Sequence, residues 1–161
     1  MYNRLIKFLY HANILTPCQH GFRSDHSTES AIYDLLGEIY NQWNEGKTCI
    51  AIICELSKAF DMVDHQILLH KLERYGIRGN VLRWFETYLL DRSQFVSLAE
   101  NGESFDSNKY QIITGVPQGS VLGPLLFNIY VNDLPKHITS KVVMYADDTT
   151  CIVSGDELQC R

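Results

Sequence analysis

Strands alternating with helix pairs predict a mixed α/β or α+β fold for this 161-residue chain. Three observations carry the prediction. A 3.6-residue apolar stripe follows Ser27-Thr28, a continuous apolar run spans Thr48 to Leu56, and two further apolar runs flank a pair of aspartates, Asp147 and Asp148. The length fits one domain, or part of one, at about 100–200 residues per domain. Hydrophobic residues make up 45% and charged residues 20%, which excludes a disordered tail, a collagen-like fibre or a low-complexity linker. No apolar run approaches the roughly 18 residues of a membrane span. Met1 to Tyr10 lacks the apolar core and small-residue cleavage site of a secretory signal, so an intracellular, reducing setting is expected.

Element by element, Leu5, Ile6, Phe8, Leu9 and Ile14 predict a helix within residues 1–15, followed by a loop at Thr16-Pro17. Ser27 and Thr28 are helix-start residues. After them Ala31, Ile32, Leu35, Leu36, Ile39, Tyr40 and Trp43 recur at helical spacing until Gly46. The run TCIAIICEL is apolar and β-branched throughout, which predicts a central strand buried on both faces. Residues 66–75, stopped by Gly76, and 79–90, with Val81, Leu82, Phe85 and Leu89 on one side, predict two short helices. SQFVSL and KYQII predict two strands separated by a turn at Glu100 to Glu103. A glycine-proline loop at Gly115 to Ser120 leads into an apolar helix from about Leu122 to Leu134, with Pro124 tolerated in its first turn and Pro135 ending it. Val142 to Tyr145 and Thr149 to Val153 predict a hairpin with the aspartates at its tip.

Fourteen Lys and Arg stand against 19 Asp and Glu, a net charge of −5 with no basic stripe for neutralising phosphates. Charge alone votes against nucleic acid. Five cysteines, Cys18, Cys49, Cys54, Cys151 and Cys160, form no C-x-x-C pair. They read as ordinary buried thiols rather than a disulfide framework or zinc site. The six histidines follow no H-x-x-x-H or H-E-x-x-H pattern, and no G-x-S-x-G or Walker loop occurs.

Among residues able to carry chemistry, Tyr145-Ala146-Asp147-Asp148 stands out. Adjacent carboxylates in a turn point roughly opposite ways, so one can face a ligand while the other braces the turn. Hairpin turns also simply favour Asp. Glu55 ends the other apolar strand, on one face with Ala51 and Ile53. A buried carboxylate is costly unless paired or bound to a cation. Were the two strands neighbours, Glu55 and Asp147 would suit Mg²⁺, which prefers carboxylate and phosphate oxygens; solvent, or pairing with Lys58, is the plainer role. Gly115 and Gly119 allow backbone to approach a ligand, and Gln118 is a neutral donor and acceptor. Lys58, Arg23 and Arg92 are candidate phosphate contacts, each also an ordinary surface charge, and Phe60 reads as core.

Four strings in series are more specific: QHGFRSDHST (19–28), ELSKAFDMVDHQILLHKLERYGI (55–77), GVPQGSVLGPLLFNIYVNDLP (115–135) and YADDT (145–149). Together, across roughly residues 1–155, the chain resembles the reverse transcriptase domain of a non-LTR (LINE-type, jockey-like) retrotransposon. The resemblance implies an α+β fold: the palm of a right-hand polymerase with part of its fingers, an antiparallel sheet packed by helices. Residues 1–47 would be partial fingers, 48–155 the palm, and 156–161 an end before an absent thumb. It also implies RNA-directed DNA polymerisation from deoxynucleoside triphosphates, with an RNA template and DNA primer as partners, and action at nuclear DNA. Asp147 and Asp148 match the YxDD box, Asp147 as metal ligand and Asp148 as its less critical neighbour. Glu55 falls where the family carries its other metal-binding Asp, so the implied cofactor is Mg²⁺, with Mn²⁺ as a possible substitute. Phe60 matches the aromatic gate against a ribose 2′-hydroxyl. Gln118 and Gly119 match the loop touching template and nucleotide, Arg23 belongs to a fingers motif, and Lys58 lies beside the gate.

Glu55 in place of Asp adds a methylene that displaces the carboxylate beyond what Mg²⁺ geometry at about 2.0–2.1 Å absorbs, which implies a loss of rate. The endonuclease that the family carries in a larger polyprotein has no counterpart in this sequence. A degenerate, inactive remnant with weak nucleic-acid or protein binding is therefore the competing expectation, and a metal-dependent nuclease a remote third. Exposed apolar surface on Leu122–Leu134 and Val81–Leu89 is expected to leave the isolated chain marginal in stability.

Overall fold

The structure, a computed structural model, describes residues 1–100 and 103–156. Helix α1 (Tyr2–His11) buries Leu5 and Leu9. Helix α2 (Thr28–Asn44) opens on a capping box: the Ser27 side chain accepts from the Ser30 N–H, and the Ser30 side chain accepts from that of Ser27. Strand β1 (Thr48–Glu55) follows. Helix α3 (His65–Arg74) is capped by Asp64, and α4 (Asn80–Leu89) buries Phe85 and Leu89. Four short strands come next: β2 (Arg92–Gln94), β3 (Ser97–Glu100), β4 (Glu103–Asp106) and β5 (Tyr110–Ile112). Helix α5 (Gly123–Val131) runs into a 3-10 turn (Leu134–His137), and β6 (Lys141–Tyr145) pairs with β7 (Asp148–Gly155).

The main sheet has the order β1-β7-β6, antiparallel throughout. Val142 and Met144 of β6 join the main core with α1, α3, α4 and α5, where Leu68, Leu72, Phe85, Leu126 and Phe127 are essentially inaccessible. Val143 and Ile152 are buried outside that core. Strand side chains alternate, so α2, which lies against all three strands, covers the opposite face. Two two-stranded ribbons, β2 with β5 and β3 with β4, project from the remainder.

Several expectations are corrected. Strand β1 is an edge strand, not a central one, and seven of its eight residues are exposed. An all-apolar run predicts burial on both faces; here β7, the strand between two partners, takes the middle place. The α2 stripe is likewise mostly open, with only Ala31 buried and Ile32, Leu36, Tyr40 and Trp43 exposed. Two strands expected between Ser93 and Ile113 are four, because SQFVSL divides between β2 and β3 and β4 is additional. Of the turn expected at Glu100 to Glu103, Asn101 and Gly102 lie outside the described residues.

Helix α5 ends at Val131 rather than Leu134, and Pro135 sits inside the 3-10 turn, where its missing N–H is not needed. Leu122–Leu134 is not an exposed apolar face: Leu122, Leu125, Leu126, Phe127, Ile129 and Val131 are all buried, and on α4 only Val81 and Trp84 remain open. The surface left exposed belongs to α2 and β1 instead. Nor are the thiols buried: Cys18, Cys49 and Cys151 are partly covered and Cys54 is exposed, while Cys160 lies outside the described residues.

Candidate active site

Strands β6 and β7 meet in a two-residue turn, Ala146-Asp147, with Tyr145 paired to Asp148. Ala146 adopts a left-handed φ of 55°, a conformation that is uncommon for alanine. It is held there from outside the hairpin. The buried Gln19 amide donates through Nε2 to the Ala146 carbonyl at 3.0 Å and accepts through Oε1 from the Ala146 N–H at 2.9 Å and the Gly21 N–H at 2.8 Å. Backbone bonds run alongside, from the His20 N–H to the Met144 carbonyl and from the Met144 N–H to the Cys18 carbonyl, each at 2.8 Å. Residues 18–20 thus form a short parallel pairing on the free side of β6. Gly21 is required by packing: a Cβ there would lie 2.2 Å from the Ala146 nitrogen.

Helix α5 anchors this clamp. Asn128 donates to the Gly21 carbonyl at 2.9 Å, and Asn132, one turn on, donates to the Ile14 carbonyl and accepts from the Thr16 N–H. Arg23, expected to reach nucleic acid, is turned inward: its Nη1 donates to the carbonyls of Thr16 and Gln19, and its guanidinium lies over the Tyr10 ring. His20 hydrogen-bonds through Nδ1 with Ser30 Oγ at 2.7 Å, and its Nε2 lies 3.3 Å from Asp34 without the alignment of a hydrogen bond. Burial holds the His20 imidazole below its ordinary range, with Asp34 opposing and His26 and Arg23 adding to the depression. Sequence reasoning passed over Gln19, Gly21 and Asn128. A buried glutamine carries no periodic signal, and its partner Ala146 is 127 residues away.

Glu55 is the register partner of Asp148 across β1 and β7. Directly paired residues share a face, so the expected neighbour, Asp147 in the turn, is replaced by Asp148. Neither carboxylate has a basic partner within ion-pair distance among the described residues, Lys58 included. Nor do three His, Cys, Asp or Glu side chains converge closely enough there to hold a metal. Glu55 is delivered by an exposed edge strand, not a buried one.

After Glu55 the chain turns through Lys58, itself left-handed at φ 53°, to Phe60. The Phe60 ring stacks on Phe127 with centroids 4.4 Å apart and meets Phe22 edge-on at 5.9 Å. The 115–120 loop is bonded to this segment. Gly115 and Val116 N–H groups donate to the carbonyls of Val63 and Phe60 at 2.7 and 2.9 Å, and buried His65 bonds the Gly115 carbonyl through Nε2. Gly115, at φ 93°, leaves only 2.9 Å between a would-be Cβ and Asp61 Cα. Gln118 Nε2 donates to Asp61 Oδ1 at 2.8 Å, and Gly119 follows at φ 76°. Lys58, Asp61, Arg92, Gln94 and Gln118 line a cleft of about 740 Å³.

A carboxylate pair at one end of an antiparallel sheet, and a cleft with cationic and amide walls reached by the chain three residues after Glu55, at Lys58, are features that suit phosphate-bearing substrates. Comparison with known proteins is specific. The family described as reverse transcriptase (RNA-dependent DNA polymerase) matches residues 1–160, and the chain belongs to that family. It is 32% identical, over 96% of its length, to the probable RNA-directed DNA polymerase from transposon BS of Drosophila melanogaster, and 27% identical over 97% to the RNA-directed DNA polymerase from mobile element jockey of the same species. A Pol polyprotein of the type-1 retrotransposable element R2 from Popillia japonica is 31% identical over 56% of the chain. The chain spans 17% of the length of the BS and jockey proteins. The resemblance read from the four strings is borne out: this is a reverse transcriptase domain of non-LTR retrotransposon type. Among the described residues no helix is long and apolar enough to cross a membrane.

Proposed function

We propose that this chain contributes the catalytic core of an RNA-directed DNA polymerase, extending a DNA primer on an RNA template from deoxynucleoside triphosphates. Residues 1–47 serve as part of the fingers and 48–155 as the palm. The observation that carries the reading is the register of Glu55 against Asp148, flush with the Ala146-Asp147 turn.

Like charges directly opposite on a ladder are destabilising. Two unpaired carboxylates retained there suit a divalent cation, and hard oxygen donors suit Mg²⁺, or Mn²⁺ in its place. Glu55 and Asp148, with Asp147 in the adjoining turn, are the residues that would hold it. The three do not converge into a cage of their own, and Mg²⁺ is usually bound by one or two carboxylates together with substrate phosphates. Such an ion supplies, when bound, the Lewis acidity that activates a primer 3′-hydroxyl and the charge that supports a departing pyrophosphate.

The chain's own groups do the remaining work. Gln19 and Gly21 fix the turn that presents Asp147, and rigid placement of reacting groups is a large share of any rate enhancement. Lys58 offers a cation to phosphate oxygens from the cleft wall. Phe60, braced by Phe127 and Phe22, gives a stiff apolar surface that leaves a 2′-hydroxyl without a partner. Gln118, oriented by Asp61, and Gly119, with its open backbone, would offer amide and main-chain groups to template and nucleotide. Arg23 contributes by stiffening the loop of residues 16–19.

The test is incorporation of labelled deoxynucleotide on a primed RNA template with Mg²⁺ or Mn²⁺. Incorporation is expected from the parent chain and absent from Asp147→Asn. Glu55→Asp, which shortens the side chain by a methylene, is expected to raise the rate at least about tenfold, or about 1.4 kcal/mol of barrier. No incorporation by any version of the folded protein overturns the proposal.

A further inference from the structure

Helix α4 carries a constellation that this chemistry does not use. Trp84 and Tyr88, one turn apart, stack with centroids 5.3 Å apart and planes 12° from parallel. Past the end of the helix, Arg92 opens β2, and its Nε donates back to the Tyr88 carbonyl at 3.2 Å. Tyr88 and Arg92 then form part of the wall of the cleft that holds Lys58. On the ribbon beside them, Tyr110 is the register partner of Gln94 and so shares the face of Arg92 and Gln94.

Core packing explains Phe85 and Leu89 on this helix, both buried, and takes in part of Tyr88, but it leaves Trp84 open. Trp84 keeps 38% of its surface in solvent and Tyr110 keeps 66%. Neither Arg92 nor Lys58 is within ion-pair distance of a carboxylate among the described residues. Exposed aromatic faces leading to unpaired cations match one ligand chemistry: bases that stack on the rings and phosphates that meet the charges. Duplex bases are already stacked on both sides, so the match is to an unpaired strand. An apolar peptide would leave the two cations unanswered.

We propose that Trp84, Tyr88, Arg92 and Tyr110, together with Lys58, form a stacking platform for single-stranded nucleic acid leading into the cleft. The inference rests on the polymerase reading and extends it, by assigning a strand-binding surface outside the carboxylate site.

Fluorescence anisotropy of a labelled 12-nucleotide oligouridylate with the full 161-residue chain tests it, with a hairpin duplex as competitor. Trp84→Ala is expected to weaken binding about 5- to 150-fold, the range for losing one base–aromatic stack. Trp84→Phe should bind within about threefold of the parent, because a smaller ring still stacks. Arg92→Gln should weaken binding and lower the salt slope by about one. Trp43→Ala, an exposed tryptophan on α2, should change nothing.

Tyr110→Ala provides a second probe on a different element, so a fold defect in α4 does not decide the matter. The proposal is overturned if Trp84→Ala, Arg92→Gln and Tyr110→Ala all bind like the parent, if duplex competes as well as single strand, or if no binding occurs. Asp147→Asn separates the two readings, since it should abolish incorporation and leave anisotropy unchanged. Strand binding that needs Trp84 in a chain unable to incorporate overturns the polymerase reading alone. Incorporation with binding indifferent to Trp84 overturns the platform alone.

Discussion

Replacing Gln19 with Leu removes three hydrogen bonds at once while roughly keeping the side-chain volume. The Ala146 carbonyl, the Ala146 N–H and the Gly21 N–H each lose their partner on a residue that is only 2% exposed, so water does not readily replace the amide. Each orphaned buried group costs about 1–3 kcal/mol, which sets an upper range near 3–9 kcal/mol if nothing moves. The turn can move, because Tyr145 and Asp148 on either side of it are exposed. A shift toward solvent rehydrates Ala146 at the expense of its left-handed conformation. We therefore expect a loss of about 3 kcal/mol, equivalent to a fall in Tm of roughly 6–12 °C for a chain of this size.

Urea unfolding followed by circular dichroism measures the first quantity, a thermal scan the second, and nucleotide incorporation reports the turn itself. Incorporation should fall further than the folded fraction accounts for, because the released turn carries Asp147. A Gln19→Leu protein that melts within about 1 °C of the parent at unchanged m-value and incorporates normally would refute the clamp.

Gly21→Ala should be worse than Gln19→Leu, since its Cβ would meet the Ala146 backbone at 2.2 Å and backbone cannot rotate aside; soluble yield and Tm report it, and a parent-like melt would show that the strand pairing at residue 19 is not made. His20 gives a pH signature. Its folded-state value lies below the ordinary 6.5, so the unfolded chain binds more protons. Its share of stability is complete above about pH 6.5 and declines as pH falls below that toward the lower folded value; urea midpoints between pH 7.5 and 5.5 should fall, and fall less in His20→Gln. Lys71→Met breaks the ion pair to Asp133 and the bond to the Tyr130 carbonyl. With the Asp133 side chain 37% exposed, the cost is expected to be only about 1–2 kcal/mol by urea unfolding. Burial raises the Asp133 carboxyl, but the Lys71 hydrogen bond and charge together hold it below its ordinary 3.8. That contribution is therefore present at neutral pH and lost as pH falls through the folded value.

Local physics made much of this chain readable. Ser27 starts α2 because its side chain satisfies one of the first free N–H groups; Asp64 does the same for α3, which begins at His65 rather than at the expected 66. Gly46 and Gly76 end them because both carry positive φ. The apolar runs on each side of the aspartates could only be the hairpin they are. The candidate carboxylates and the 115–120 loop were visible for a different reason, as strings shared with a family, since neither charge nor composition pointed to nucleic acid. Burial was misread where it depended on neighbours. TCIAIICE has the composition of a central strand and lies at an edge, and the apolar stripe of α2 exceeds what the sheet beneath it covers.

The order of the five helices, the β6–β7 hairpin, the Ser27 cap, and the membership of the chain in its family were therefore determined by the amino-acid sequence itself, because each depends on residues close together or on strings read in series. Which carboxylates meet, and what holds them, was decided only by tertiary structure. The β1–β7 register sets Glu55 against Asp148 rather than Asp147. The Ala146 turn is held by an amide from Gln19 that is in turn anchored, through Gly21 and Asn128, to α5. Hydrogen bonds spanning more than a hundred residues have no local signature, because the energy that selects them is that of burying polar backbone groups only where a partner waits.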